Sequence, residues 1–143
     1  MGCAREQPGA TTPQNPAPHK AVSSDGAPAA IGPYSQAVQV GDVVYLAGQI
    51  GIEPASGVLV EGGIDAQTKQ AMDNVGAVLK EVGMDYDNVV RATVFLSDIN
   101  NFQTMNGAYG GYFKSDHPPS RSTVQVAAIP RGALVEIDFI AVK

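Results

Sequence analysis

The sequence predicts an α+β fold in which a mixed β-sheet is covered on one face by two helices. Two observations support this fold class. First, β-prone and helical segments alternate along the chain in the order ββ-α-β-α-ββ. Second, the strand pairs at both ends are joined by short turns, whereas the middle strand is reached through helices. Such connections favour a mixed sheet with its helices on one side.

The domain is expected to begin with a β-hairpin. Strands are predicted at 35–40 and 43–48, because both segments are rich in β-branched and aromatic residues. Gly41-Asp42 between them is typical of a tight hairpin turn. A short additional strand is predicted at 58–60, after a turn that contains proline and glycine.

A long helix and a middle strand follow. Apolar residues recur at helical spacing over 64–82, which predicts an amphipathic helix there. Asp65 is the expected N-cap, and Gly83 is the expected residue just beyond the C-terminus. The run of β-branched residues at 89–96 predicts a strand.

The last third of the chain supplies a second helix and two strands. The helix is predicted at 101–114, and it is expected to stop before His117-Pro118-Pro119 because proline cannot continue a helix. Strands are predicted at 122–128 and 134–142, joined through a short segment that contains proline and glycine.

Residues 1–26 are predicted to form a disordered Pro/Ala-rich arm, and residues 27–143 to form one domain. Gly2-Cys3 resembles the start of a mature bacterial lipoprotein, although no apolar signal segment precedes it. The chain as given is expected to be cytoplasmic. The alternative is a periplasmic lipoprotein that is tethered to the membrane through a lipidated Cys3.

The charge and the metal-binding residue types argue against several classes of protein. The net charge is −5 and the nine Lys and Arg residues are scattered, so no nucleic-acid partner is expected. One cysteine and two distant histidines offer neither a disulfide nor a cluster of metal ligands. We therefore expect no metal and no cofactor. No apolar run is long enough to cross a bilayer.

Charged residues near the C-terminus are the first candidates for a site. Arg121 opens one strand, and Glu136 and Asp138 share one face of the next. A fixed guanidinium near a carboxylate can bind a small carboxylate and carry out acid–base chemistry on it. The alternative is an ion pair of Arg121 with Glu136 or Asp138. For Asp138, a structural pair with Arg91 is the preferred interpretation.

The strands also predict self-association. Three strands each have one apolar face, which we expect to meet the helices, and one mixed face. The apolar faces comprise Val90, Ala92, Val94 and Leu96, then Val124 and Val126, then Val135, Ile137 and Phe139. The mixed faces carry too many large apolar side chains to prefer water. We therefore expect a homo-oligomer with Arg121 and Glu136 at or near the subunit interface.

Three uncharged residues are further candidates. Tyr34 follows Gly32-Pro33 where the chain turns into a strand, so it is either a cap on the core or a lid over a pocket. Gly48 marks either the close approach of a ligand or another backbone, or a simple bend. Asn106 lies on the apolar side of the second helix and must be hydrogen-bonded, either to a loop or to a ligand.

Several motifs, in this order, resemble the RidA/YjgF family, and the likeness covers residues 27–143. The motifs are Ala29-Ala-Ile-Gly-Pro-Tyr-Ser-Gln-Ala37, Ala47-Gly-Gln-Ile50, Met72-Asp-Asn-Val75, Thr93-Val-Phe-Leu96, Pro119-Ser-Arg-Ser-Thr-Val-Gln-Val126 and Glu136-Ile-Asp-Phe-Ile-Ala-Val142. The resemblance implies a chorismate-mutase-like fold and a homotrimer with clefts between subunits. It also implies a cofactor-independent deaminase that hydrolyses 2-aminoacrylate and 2-iminobutanoate to 2-oxo acids and ammonia.

The resemblance also implies roles for individual residues. Arg121 matches the residue that binds the substrate carboxylate, and Glu136 matches the carboxylate that positions or activates water. Ala47 and Thr123 are departures, because many relatives have Ser and Cys at these substrate-binding positions. The positions that line the cleft are matched by Tyr34, Gly48 and Asn106. Two alternative functions remain open, a non-catalytic module that binds small carboxylates and a ribonuclease or translation inhibitor.

Overall fold

The computed structural model describes residues 18–143, in which a mixed β-sheet is backed by two α-helices. The strands are β1 His19–Val22, β2 Ala37–Val40, β3 Val43–Leu46, β4 Gln49–Ile50, β5 Ile52–Glu53, β6 Val58–Leu59, β7 Val89–Leu96, β8 Ser120–Gln125 and β9 Val135–Val142. The helices are α1 Gly63–Glu81 and α2 Phe102–Gly110. The predicted α+β class and its mixed sheet are confirmed.

Strand β9 lies at the centre of the main sheet. The sheet has the order β1-β2-β3-β9-β7-β8, and β4 also pairs with β9. Strands β7 and β8 are parallel, whereas the other pairings in this sheet are antiparallel. Strands β5 and β6 form a separate antiparallel pair. The long β9 therefore contacts β3, β4 and β7 along its length.

The main core lies between one face of this sheet and the two helices. Alternate residues of β7 and β9 point into it, as the period of two in a strand requires. The apolar stripe of α1 and the inner side of α2 cover them. Fully buried members include Met72, Val75, Leu79, Val94, Leu96, Met105, Ile137 and Phe139. The prediction that both helices cover one face is confirmed.

The structure places α1 within one residue of the predicted bounds at each end, but its N-cap differs. The N-cap is Gly62, with φ of 111° and no side-chain cap, so the prediction of Asp65 as N-cap is wrong. Asp65 instead lies in the first turn and pairs with Lys69 at 2.7 Å. Gly83 follows the last turn with φ of 70°, as expected of a residue in the left-handed region.

The second helix is shorter than predicted. It ends at Gly110 instead of residue 114, and Gly111 is its C-cap. Two successive glycines weaken a helix, because each has more conformational freedom to lose than other residues. A 3₁₀ turn, Ile99–Asn101, precedes α2 and is capped by the Asp98 side chain, which accepts from the Asn100 N–H at 2.9 Å.

Part of the predicted arm is ordered. Strand β1 pairs with β2 from His19 to Val22, so the prediction of an unfolded arm is wrong for these residues. The remainder of the arm up to residue 17, including Cys3, lies outside the described residues. Neither helix of residues 18–143 has the length and hydrophobicity that a membrane span requires.

The predicted assignment of faces is wrong at β8 and at the start of β7. Arg121 is the pairing partner of Ala92, which is fully buried beneath the helices. Directly paired residues point to the same side of a sheet, so Arg121 lies on the helix-covered face. Val124 lies on the opposite face and is 44% exposed. A bulge between Val89 and Arg91 turns Val90 outward.

Candidate functional site

The seven predicted site residues fall into two groups on opposite faces of the sheet. Within β9, Glu136 pairs with Phe95, whereas Phe139 pairs with Ala92 on the side that Arg121 shares. Glu136 and Phe139 are three residues apart, so they point to opposite sides. We call Asn106, Arg121 and Thr123 the arginine half-site. We call Tyr34, Ala47, Gly48 and Glu136 the glutamate half-site.

The arginine half-site is organised by one side of α2. The Arg121 guanidinium donates a hydrogen bond to Asn106 Oδ1 at 2.7 Å. Its Cζ atom lies 4.7 Å from the centre of the Tyr109 ring and 5.7 Å from that of Phe102. Residues 102, 106 and 109 share one side of the helix because of their spacing. Helix α2 thus fixes the guanidinium by one hydrogen bond and two cation–π contacts.

No carboxylate of residues 18–143 forms an ion pair with Arg121. The ion pair found in this part of the chain is a different one, between Lys69 and Asp65 of helix α1. The alternative in which Arg121 pairs with Glu136 or Asp138 is therefore wrong within one chain. The Asn106 side-chain oxygen accepts from Arg121 on strand β8, so the expected hydrogen bond of Asn106 to a loop is wrong. Arg121 is therefore an oriented cation without an anionic partner in the described part of the chain.

The glutamate half-site lines a cavity of about 410 Å³. Its wall is mainly apolar and includes Pro28, Ala29, Ile31, Tyr34, Ala47, Gly48, Gln49, Ile50, Ile52, Pro130 and Glu136. Tyr34 is 49% exposed, so the alternative of a core cap is wrong and the residue lies against the cavity. Its hydroxyl accepts from the Ile31 N–H at 3.3 Å. Glu136 is the carboxylate in this wall.

Gly48 is required by the position of Glu136. A Cβ atom at residue 48 would collide with the Glu136 carboxylate. The expected approach of another backbone at Gly48 is wrong, because the group that comes close is the Glu136 side chain. Strand β4 begins one residue later and pairs Ile50 with Glu136, which places Gly48 two residues before the partner of Glu136 and on the same face. Glycine at 48 therefore makes room for the carboxylate.

The environment of Glu136 favours its protonated form. The side chain is about half-buried, and burial raises its pKa above the ordinary value because a charge is poorly solvated there. The nearby Asp138 carboxylate raises the pKa further. Burial also raises the pKa of Asp138, against the opposing effects of Thr93 and Arg91. Glu136 is thus closer to proton exchange at neutral pH than a solvated glutamate.

Sequence reasoning missed Asn74, a buried amide that holds the cavity floor. Its Nδ2 group donates to the carbonyl oxygens of Ile50 at 3.1 Å and Ile52 at 2.9 Å, and its Oδ1 accepts from Gln70. The segment after Gly48 is thereby attached to α1. A polar residue inside the apolar stripe of α1 is the signal that could have found it.

Gln36 has the same role on the other side of the cavity and was also missed. Its Oε1 accepts from the Ser24 N–H at 2.6 Å, and its Nε2 donates to Pro28 O at 2.8 Å. Ser24 O and Ala27 O also lie within 3.4 Å of Nε2. The buried Gln36 amide therefore holds the chain segment that leads into the cavity wall.

Comparison with known proteins identifies the family. The family model described as Endoribonuclease L-PSP matches residues 24–143. A Bos taurus protein named 2-iminobutanoate/2-iminopropanoate deaminase is 54% identical over 124 residues, which are 87% of this chain and 90% of the relative. The Homo sapiens protein of the same name is 50% identical, with the same coverage. Protein DfrA of Myxococcus xanthus is 53% identical and covers 87% of this chain and 95% of its own.

Solved structures agree with these sequence relationships. RidA from an Antarctic Psychrobacter superposes with a TM-score of 0.83 at 40% identity, covering 87% of this chain and 99% of that one. Escherichia coli TdcF with bound serine gives a TM-score of 0.82 at 35% identity, covering 87% and 98%. The predicted resemblance is thereby confirmed, and the chain belongs to the RidA family, whose family model bears the description Endoribonuclease L-PSP.

Proposed function

We propose that this protein is a 2-iminobutanoate/2-iminopropanoate deaminase, which hydrolyses reactive imino and enamine acids to 2-oxo acids and ammonia. Relatives with 54% and 50% identity carry this name. The observation that carries the proposal is Arg121, an oriented guanidinium without a carboxylate partner in residues 18–143. Such a group binds a substrate carboxylate through two parallel hydrogen bonds.

The two half-sites combine, in this proposal, between neighbouring subunits of a homotrimer with a chorismate-mutase-like fold. One chain cannot bring Arg121 and Glu136 together, because they lie on opposite faces of its sheet. The face opposite the helices carries exposed or half-exposed apolar side chains, namely Val38, Tyr45, Phe95, Val124, Ile140 and Val142. Covering this face with further copies removes apolar surface from water.

The mechanism assigns one task to each half-site. Arg121 binds the carboxylate, and Glu136 of the neighbouring chain accepts a proton from a water molecule as that water attacks the C=N carbon. Glu136 then returns this proton to nitrogen, which gives a carbinolamine. The proton of the new hydroxyl group next passes through Glu136 to nitrogen, so that ammonia leaves as the C=O bond forms. An enamine substrate first gains a proton at its β-carbon. Positioning and one carboxylate that carries each proton in turn suffice, because an imine carbon is already electrophilic.

Two departures from the family pattern affect the rate and not the type of reaction. Ala47 lines the glutamate half-site and has no hydroxyl to offer to substrate or water. Loss of one such hydrogen bond costs about 1 kcal/mol. Thr123 retains a hydroxyl in the arginine half-site. We therefore propose an altered preference among imines, or a lower rate, in an active enzyme.

A coupled assay tests the function. A pyridoxal-phosphate dehydratase generates 2-aminoacrylate or 2-iminobutanoate, and the loss of the imine is followed with and without this protein. The proposal requires faster loss of the imine together with release of the matching 2-oxo acid. An unchanged rate at micromolar protein would refute it.

A second candidate is a carboxylate-binding module without turnover, and the serine bound by TdcF favours it. Calorimetric binding of 2-oxobutanoate without imine hydrolysis would select this function. Ribonuclease activity, which the family description names, is not proposed for this chain. The net charge of −5 and scattered Lys and Arg residues are unsuited to a polyanionic substrate.

Mixing two inactive variants tests whether the site lies between chains. Arg121→Ala and Glu136→Gln chains, co-expressed in equal amounts, are expected to recover about a quarter of the wild-type sites, since that fraction of interfaces pairs two intact half-sites. Imine hydrolysis by the mixture is compared with each variant alone. Recovery no greater than the sum of the separate variants would show that each chain supplies both residues to one site.

Gly48→Ala is expected to lower kcat for imine hydrolysis by about tenfold or more, because the new methyl group displaces the Glu136 carboxylate. Steady-state kinetics measure the effect. Gly107→Ala is the matched control, since a Cβ atom there meets nothing within 4 Å and lies on the exposed side of α2. Equal kcat values for Gly48→Ala and wild type would contradict the predicted role of Glu136.

A further inference from the structure

Two hydroxyl groups in and beside the arginine half-site are buried without a hydrogen-bond partner. They are the Tyr109 hydroxyl and Thr123 Oγ1. The third such side-chain atom within residues 18–143 is Thr68 Oγ1, which lies on α1. A buried hydroxyl without a partner costs free energy, since it has lost its hydrogen bonds to water. Two such groups, beside a guanidinium that pairs with no carboxylate of residues 18–143, point to a role in binding an anion.

Tyr109 is fixed in place by its ring and not by its hydroxyl. The residue is 6% exposed, its ring contacts the Phe113 ring at 4.8 Å between centroids, and the Arg121 guanidinium lies over it. The guanidinium comes near the hydroxyl but not with the geometry of a hydrogen bond. Arg121 and the ring are thus held together while the O–H group remains unused.

The Tyr109 hydroxyl keeps its proton at neutral pH. Burial raises the pKa of Tyr109 to about 12, even though the Arg121 cation opposes part of this rise. A neutral phenol is a hydrogen-bond donor. Thr123 lies two residues beyond Arg121 in β8, so its side chain is on the same face of the strand. Both hydroxyls are therefore donors on the side of the sheet where Arg121 lies.

We propose that the Tyr109 and Thr123 hydroxyls donate hydrogen bonds to the anion that Arg121 binds, which makes this half-site a three-donor receptor for a small carboxylate. The identity of the anion, a 2-imino or 2-oxo acid, rests on the proposed function. A carboxylate has about four lone-pair positions, so a guanidinium fork leaves two of them for further donors. Tyr109 thereby becomes a ligand-binding residue that no sequence motif indicated.

Tyr109→Phe is the direct test, because it removes the hydroxyl and keeps the ring beneath Arg121. Calorimetry with 2-oxobutanoate on the assembled full-length protein is expected to show about tenfold weaker binding. The Tm is expected to stay equal or to rise, since the lost hydroxyl has no hydrogen-bond partner within residues 18–143. Thr123→Val removes the second hydroxyl without changing the shape of the side chain and is expected to weaken binding as well.

Tyr112→Phe is the matched control. The Tyr112 hydroxyl lies 2.8 Å from Asp73 Oδ1 and 3.0 Å from the Lys69 carbonyl, so its loss is expected to lower the Tm and leave 2-oxobutanoate binding unchanged. If Tyr109→Phe binds 2-oxobutanoate as tightly as wild type, the receptor proposal is overturned. A lower Tm with unchanged binding also overturns it, because the hydroxyl would then have a structural partner in the assembled protein.

The experiment separates this proposal from the proposed function. Wild-type protein that binds 2-oxobutanoate through Tyr109 but hydrolyses no imine supports the receptor and refutes the deaminase. Wild-type protein that hydrolyses imines, with a Tyr109→Phe variant of unchanged KM and unchanged affinity for 2-oxobutanoate, supports the deaminase and overturns the receptor.

Discussion

Replacing Arg121 with alanine is expected to lower kcat/KM for imine hydrolysis by about 10²-fold or more, since two hydrogen bonds to a charged carboxylate are lost. The loss is expected mainly in KM for short substrates, because the carboxylate is bound in both ground and transition states. The fold should survive, since Arg121 has no ion pair in residues 18–143 and donates one hydrogen bond, to Asn106.

Two control variants make this expectation specific. Arg121→Lys keeps the charge but cannot form the bidentate contact. Its kcat/KM should therefore lie between that of Arg121→Ala and that of the wild type. Lys80→Ala removes one positive charge from an exposed position at the end of α1 and should behave like wild type. Wild-type kinetics in Arg121→Ala, with an unchanged Tm, would exclude the guanidinium from substrate binding.

The regular elements could be predicted from the sequence because their apolar residues repeat with a clear helical or strand period. The bounds of β7 were predicted without error, and α1 within one residue at each end, since their apolar residues repeat cleanly. Strand β1 was missed because the segment His19–Val22 is short and its burial depends on pairing with β2. Short segments gain their stability from tertiary pairing, and composition alone does not record it.

The orientation of β8 shows where pattern reasoning fails. Alternation establishes that Arg121 and Val124 lie on opposite faces, but it does not say which face meets the helices. The parallel pairing of Arg121 with the buried Ala92 determines which face meets the helices. Arg121 therefore lies under α2, and Val124 is exposed on the opposite face. The error mattered, because Arg121 and Glu136 lie on opposite faces of one sheet, and our proposal therefore joins the two half-sites from neighbouring chains.

The candidate site was predictable where the residue types have unusual chemistry. Arg121 and Glu136 stood out as charges on apolar strands, and Gly48 stood out as a glycine at a strand end. Asn74 and Gln36 were not found, because each acts through backbone carbonyls that are distant in sequence, such as Ile50 O for Asn74 and Pro28 O for Gln36. Only the folded chain brings such amides and carbonyls together.

Glu136→Gln is expected to lower kcat by about 10²-fold or more, because an amide cannot accept the proton of the attacking water. The same change is expected to raise the Tm at neutral pH. The pKa of Glu136 is raised in the folded chain, so folding is less favourable whenever the carboxyl is ionised. The contribution of the protonated Glu136 carboxyl to stability is present below the ordinary pKa of a glutamate. It is lost as the pH rises through the raised pKa of Glu136 in the folded chain.

Thermal unfolding and kinetics against pH measure both effects. Wild-type kcat should fall as pH decreases through the raised pKa of Glu136, whereas the residual rate of Glu136→Gln should lack this step. Asp138→Asn is the matched control, because burial raises the pKa of Asp138 on the same face of β9, outside the cavity wall. It should raise the Tm and keep the activity. If both variants raised the Tm and both retained wild-type kcat, Glu136 would be a buried carboxyl without a catalytic role.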